Sequence, residues 1–233
     1  MQAIESSTGK ESPGSNVGKW DKWYAGLSAT EAATLYGDQT TYLVAASFMA
    51  DMNEVEDWGC GLGGFRRFCP TKYIGVDGSR TPFADKIVDL CRYRTESDGI
   101  LLRHVLEHNL EWEQVLISAL RSFRRKLCIV LFTPFAEVTG EVNFKRERLI
   151  DVPALSFRRA DIERHFGGLH WRILENIQTQ SAYNIEHVYL IWRDPPPEPF
   201  TVAARHLSKR LLPGLKRRLA RLASPRTRDR STD

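Results

Sequence analysis

Apolar residues along this chain recur at two spacings that take turns. Short apolar runs at 55–58, 73–77, 86–90 and 99–105 read as strands. Between 111 and 125, Trp112, Val115, Leu116, Leu120 and Phe123 fall at helical spacing. A fifth strand is predicted at 127–132, then a helix at 159–166 closed by Gly167 and Gly168 as a C-cap. Runs at 171–178 and 186–192 form a late hairpin around Ser181, Ala182, Tyr183 and Asn184. Upstream, Trp20, Trp23, Tyr24, Leu27, Ala32, Ala33 and Leu35 start an amphipathic pattern, and 42–49 forms a second helical stretch. Residues 1–18 are rich in Ser, Gly and Lys and read as unstructured. Pro195, Pro196 and Pro197 end the compact part. The predicted organisation is a disordered 1–18, one domain over 19–198 and a tail over 199–233. No internal repeat is visible.

The densest information lies between 55 and 79. The first strand carries Asp57, and a glycine cluster follows at Gly59, Gly61, Gly63 and Gly64, with Cys60 inside it. Eighteen residues after Gly59 a second strand ends in Asp77, followed by Gly78. Glycines let main chain approach a ligand with no Cβ in the way. A carboxylate at the tip of the second strand can accept both hydroxyls of a ribose. Gly59, Gly61 and Gly64 also match G-x-G-x-x-G, the dinucleotide pattern. Two details argue against NAD. An acid stands two positions before the first glycine, and Pro70 and Thr71 end the following helix almost at once. A pyrophosphate site usually has a full helix aimed at the phosphates.

D-W-G-C-G-L-G resembles the E/D-x-G-x-G-x-G loop of class I S-adenosylmethionine-dependent methyltransferases. I-G-V-D-G-S resembles their second strand, and residues 97–109, S-D-G-I-L-L-R-H-V-L-E-H-N, their fourth strand and the turn after it. The similarity covers roughly 55–193. It implies an α/β, Rossmann-like three-layer sandwich, with a mostly parallel seven-stranded sheet and a reversed last strand. It implies S-adenosylmethionine as cofactor. Asp57 and the segment Gly59, Cys60, Gly61 and Gly63 would hold its amino acid half. Asp77 and Gly78 would take the ribose, and Asp89 and Leu90 would flank the adenine. Arg103, at the end of strand four, joins that set. One departure stands out: only eight residues separate Asp77 from the next strand, so the usual second helix shrinks to a turn around Pro82.

His104 and His108 bracket Glu107 in an H-x-x-E-H spacing that zinc proteases also use. That chemistry needs both histidines on one helical face and a third ligand. Here His104 follows a continuous apolar strand, so zinc hydrolysis is set aside. His104 falls where strand four opens into the site and is the candidate general base. His108 and Glu107 are expected to fix the turn, with His108 held as a second catalytic candidate. The connector 133–157 is long for this fold and polar, and it reads as an acceptor-binding lid. Glu137, Glu141 and Asn143 are its candidate substrate contacts, with Tyr24 from the N-terminal helix. Its acids leave a divalent cation open as a second cofactor, without an acid at the end of strand four to favour one.

Charge adds one feature. The net charge is +4, but residues 203–233 hold ten Lys/Arg against two Asp/Glu, which leaves −4 on the rest. Leu207, Leu211 and Leu215 share a helical face there, broken by Pro213 and Gly214. Such a basic amphipathic segment suits an anionic membrane surface or nucleic acid. The plainer reading packs those leucines on the domain or on a second subunit, so a homo-oligomer stays open. Nucleic acid is disfavoured as the acceptor, because no N/D-P-P-Y/F motif follows strand four. The four cysteines have no metal-type spacing, and a reducing cytoplasm is the expected setting. The expected acceptor is a small molecule or glycan, methylated on oxygen.

Overall fold

The computed structural model describes residues 16–27, 39–142 and 152–196. Asn143 and the tail beyond 196 lie outside the described residues, as do 1–15 and 28–38. Among the described residues two helices come first, α1 (Val17–Gly26) and α2 (Thr40–Phe48). Then follow β1 (Glu54–Trp58), β2 (Lys72–Asp77), β3 (Lys86–Ile87) and β4 (Ser97–Arg103). After α3 (Trp112–Ser122) come β5 (Phe123–Leu131), β6 (Gly140–Glu141) and β7 (Leu155–Ser156). The chain continues through α4 (Arg159–Glu163), β8 (His170–Gln178) and β9 (Ile185–Trp192).

Seven strands form one sheet in the order β3-β2-β1-β4-β5-β9-β8. Pairs from β3 through β5 are parallel, and β9 runs antiparallel to both β5 and β8. The reversed last strand expected from the family likeness is therefore present. Its reversal has a functional consequence: the start of β9 lies beside the carboxyl end of β5, with His187 opposite Leu131.

Side-chain alternation divides the sheet between two helical layers. Ile100, Leu102, Leu127, Ile129, Leu131, Tyr189 and Ile191 pack with Val115, Leu116 and Ala119 of α3 in one cluster. The opposite face receives α2, where the Phe48 ring meets Trp192 edge-on at 4.9 Å. The connection from β2 to β3 is a turn with no helix, as the short spacing requires.

Several predicted boundaries move, each for a local reason. The third strand, expected over 86–90, keeps two ladder residues; Asp89 Oδ1 accepts the Cys91 amide at 2.9 Å and turns the chain away. The helix expected to reach 125 stops at Ser122. Phe123 is already extended, and β5 takes Arg124 and Arg125 to Asp98 and Asp51. The fourth strand ends at Arg103 because His104 adopts φ +58. The first helix starts at Val17, inside the segment expected to be unstructured.

Candidate functional site

The carboxyl edge of the parallel strands gathers the chemistry. At the tip of β1 the chain enters the glycine loop with Gly59, Gly61 and Gly63 all at positive φ. A Cβ on Gly59 would lie 2.5 Å from Val105 Cγ2. A Cβ on Gly64 would collide with the Tyr42 hydroxyl of α2. The loop is then fastened to β2. Gly59 and Cys60 donate their amides to Val76 O at 2.7 and 3.1 Å, and Gly61 donates to Asp77 Oδ2 at 2.9 Å. Gly63 donates to Cys60 O at 2.8 Å. Four loop amides are thus engaged within the protein, and only one 3-10 turn (Gly64–Arg67) follows. A dinucleotide's pyrophosphate needs such amides and a helix N-terminus, so this loop is poorly built for one.

Two buried acids flank the loop. Asp77 Oδ1 accepts the Ser79 amide at 2.8 Å while Oδ2 holds Gly61. Burial raises the Asp77 carboxyl, against those backbone amides, which lower it. Asp57 is 3% exposed and accepts the Tyr73 hydroxyl at 3.0 Å. Burial pushes Asp57 up to about 7; the Tyr73 hydrogen bond opposes, Asp77 adds, and Arg103 opposes.

A second polar group closes the edge at the end of β4. Arg103 lies over the Tyr42 ring at 4.2 Å from its centroid and donates to Thr41 Oγ1 at 3.0 Å and Tyr42 Oη at 3.3 Å. Its Nη2 reaches Glu186 Oε1 at 2.9 Å, and His104 Nε2 lies 2.9 Å from the same oxygen. Thr41 donates to the other oxygen. Burial would raise Glu186, but His104, Arg103 and Thr41 outweigh it and hold the carboxyl at about 2. His104 is one of three non-glycine residues at positive φ among the described ones. Such a conformation costs on the order of 1–3 kcal/mol and persists only where the surroundings impose it.

The turn after β4 is built by its own acid and histidine. Glu107 Oε1 accepts the Phe132 amide at 2.6 Å, while Oε2 is buried without a hydrogen-bond partner. Burial dominates there and pushes the carboxyl to about 8, so Glu107 is largely protonated at neutral pH. His108 Nδ1 lies 2.9 Å from Pro153 O and ties the turn to the far end of the long connector. Helix α1 crosses above this edge. Asn16 Nδ2 donates to His108 O at 3.0 Å, the Trp20 ring meets His108 at 5.5 Å, and Asp21 Oδ1 accepts the Arg80 amide at 2.6 Å. The helix therefore spans from the loop after β2 to the turn after β4.

No protein-family model matches the sequence, and no curated protein matches it significantly. Solved structures do match. A 1,6-didemethyltoxoflavin-N1-methyltransferase from Burkholderia thailandensis, with 1,6-didemethyltoxoflavin and S-adenosylhomocysteine bound, is 12% identical at TM-score 0.54. The match covers 82% of this chain and 94% of that one. The DhpI complex with S-adenosylhomocysteine is 15% identical at TM-score 0.51, covering 78% and 98%. The chain has the fold of the class I S-adenosylmethionine-dependent methyltransferases. A third match is the [4+2]-cyclase SpnF, 12% identical at TM-score 0.50, covering 68% and 82%. The methyltransferase fold alone does not fix the reaction, and the side chains must be read for that.

In this methyltransferase fold the predicted residues separate into groups. Asp57, Gly59, Cys60, Gly61, Gly63, Asp77 and Gly78 lie together at the tips of β1 and β2. Cys60 is buried, and burial raises its thiol well above the usual range. Leu90 is buried, and Asp89 is exposed beside Arg92 at 3.6 Å. Arg103 reaches α2 and β9, a set of partners that the sequence does not reveal. Tyr24 stacks on Trp20 at 5.8 Å. Glu137 and Glu141 are exposed on the connector. Among the described residues no group of three or more His, Cys, Asp or Glu side chains is placed to hold a metal ion. None of their helices is long and apolar enough to cross a membrane. Sequence reading missed Glu186, Thr41 and Tyr42. The one available signal was an acid opening an otherwise apolar strand, E-H-V-Y-L-I-W.

Proposed function

We propose that the protein transfers a methyl group from S-adenosylmethionine to a hydroxyl of a small metabolite, such as a sugar, with His104 as general base. The observation that carries this reading is that adjacent strands bring the two halves of such a site to one edge. Asp77 and the glycine loop close β2 and β1, and His104 follows β4, the direct neighbour of β1. Two neighbours in fold hold S-adenosylhomocysteine, which supports the cofactor.

The residues present fit that cofactor. Asp77 Oδ1 accepts the Ser79 amide and Oδ2 the Gly61 amide, and a carboxylate oxygen carries two lone pairs, so the carboxylate keeps acceptor capacity that ribose hydroxyls would use. Asp57, poised near neutrality, would be ionised by an ammonium beside it. Asp89 and Leu90 would flank the adenine. When bound, the cofactor supplies an electrophilic methyl group. His104 would accept the proton of the acceptor hydroxyl, leaving an oxygen nucleophile aligned for that methyl group. Proton removal of this kind is worth about 10²–10⁴ in rate. Trp20, Trp23 and Tyr24 on α1, with Glu137 and Glu141 on the connector, would enclose the acceptor and exclude water. All four cysteines are free thiols, which suits a reducing cytoplasm.

The test is transfer of label from methyl-labelled S-adenosylmethionine to parallel pools of sugars, phenolic and aliphatic hydroxy compounds, amines, RNA and protein. Label on oxygen of a small molecule is expected. Label confined to RNA would instead assign the basic tail a substrate-binding role. Cofactor binding without any transfer would point to a binding protein.

A further inference from the structure

We propose that Glu186, at the start of the reversed strand β9, is a positioning residue that sets the tautomer, orientation and basicity of His104. This rests on the reading of His104 as the base, but it makes a claim about the free protein that is measured without any turnover.

Topology comes first. Glu186 lies 82 residues beyond His104 in sequence, and β9 is separated from β4 by β5. Only because β9 runs backwards does its first turn of side chains arrive at the carboxyl ends of β4 and β5. Glu186 shares a sheet face with Val188, Leu190 and Trp192, the face under α2, and so meets Thr41 at the opening of that helix.

Chemistry then fixes the proton. Glu186 is fully buried and ionised, so both its oxygens act as acceptors only. The His104 Nε2 atom, 2.9 Å from Oε1, must therefore carry hydrogen, and Nδ1 is the basic nitrogen of the neutral ring. A carboxylate in this relation holds the ring in one tautomer and stabilises the imidazolium that forms on proton uptake. The left-handed backbone of His104 points the same way. Its amide donates to Val130 O at 3.0 Å, and the strained residue is held from the backbone side and the ring side at once.

Arg103 gives the arrangement its balance. Its guanidinium shares Oε1 with His104, so it draws part of the carboxylate's field and opposes a second positive charge nearby. Glu186 raises the basicity of His104, and Arg103 limits that rise. Among the described residues, the other titratable groups facing this set are Tyr42 on α2, Asp57 at the tip of β1, which couples to Arg103 and Tyr42, Glu107 in the turn after β4 and His108 across the Phe132 ring. Burial keeps the Tyr42 hydroxyl neutral and holds Glu107 largely protonated near pH 7. Among the described residues, Glu186 and Arg103 are fixed charges in direct contact with His104.

The experiment is long-range ¹H–¹⁵N correlation of the full chain labelled on histidine, with His104 assigned by its loss in His104→Asn. The wild-type protein is expected to show His104 as the Nε2–H tautomer above its titration. Glu186→Gln, which keeps the shape and removes the charge, is expected to lower the His104 pKa by about 1–2 units, the usual effect of losing an adjacent opposite charge. An Nδ1–H tautomer in the wild type overturns the proposal with no variant needed. So does an unshifted titration in folded Glu186→Gln. If Glu186→Gln does not fold, the wild-type tautomer still decides. The label-transfer assay separates the two claims: absence of any methylation would defeat the functional reading and leave this result standing.

Discussion

The Asp77 carboxylate accepts the Gly61 amide at 2.9 Å. One side chain thus joins the tip of β2 to the glycine loop after β1, and it is the same group that faces a ribose in the proposed reading. In that reading, binding and loop geometry are coupled. Asp77→Ala is expected to lose cofactor affinity and to destabilise the fold by about 1–3 kcal/mol, since two buried amides lose their acceptor. Urea titration followed by circular dichroism checks the second part. An unchanged midpoint would show that Gly61 and Ser79 find other partners.

Gly59→Ala is expected to cost about 2–4 kcal/mol. The methyl would lie 2.5 Å from Val105 Cγ2, and the residue sits at φ +72. Adding Val105→Ala removes the overlap but not the backbone strain, and it opens a cavity of its own. The double variant should therefore recover only part of the loss relative to Val105→Ala alone. Full additivity in thermal melts would mean that the loop moves away from Val105 at little cost.

Asp57 has a folded pKa near 7, above its unfolded value near 4. The native state therefore holds the extra proton between those values. Stability from this group is full below pH ~4 and falls as pH rises to about 7. Asp57→Asn removes that penalty. It is expected to raise stability at pH 8 by on the order of 2 kcal/mol while weakening cofactor binding, because the ammonium loses its counter-charge. Equal melting temperatures for wild type and variant at pH 8 would argue against a buried, strained carboxylate at this position.

Glu107 follows the same sign over a higher window. Its folded pKa is about 8, so stability falls from pH ~4 up to about 8 as the native proton is lost. Glu107→Gln keeps an oxygen for the Phe132 amide. The variant should match or exceed wild type in melting temperature at pH 9 and differ little at pH 5. A larger loss at pH 9 than at pH 5 would mean that the ionised acid is the stabilising form.

The strands that carry the proposed cofactor residues are legible because local sequence determines them. An apolar run, a glycine cluster and an acid at a fixed distance need no long-range contact to be read, and Asp57, Gly59 and Asp77 fall where the spacing put them. The third strand is shorter than its apolar run because an Asx turn at Asp89 cuts it short, and side-chain capping leaves apolar periodicity untouched. Glu186 was not legible at all. Its partners, Arg103, His104 and Thr41, are brought to it by sheet order and by the reversal of β9, and neither is written in any local stretch. Arg103 could be placed at a strand end, but its direction depended on Tyr42 arriving from a helix some sixty residues earlier.

The most direct test is calorimetric titration of the purified full chain with S-adenosylhomocysteine and, separately, with NAD. Saturable one-to-one binding of S-adenosylhomocysteine, accompanied by a rise in melting temperature that grows with ligand concentration, and no heat with NAD, is the expected result. Binding of NAD, or no binding of S-adenosylhomocysteine by folded protein, would contradict the methyltransferase reading of the glycine loop and Asp77.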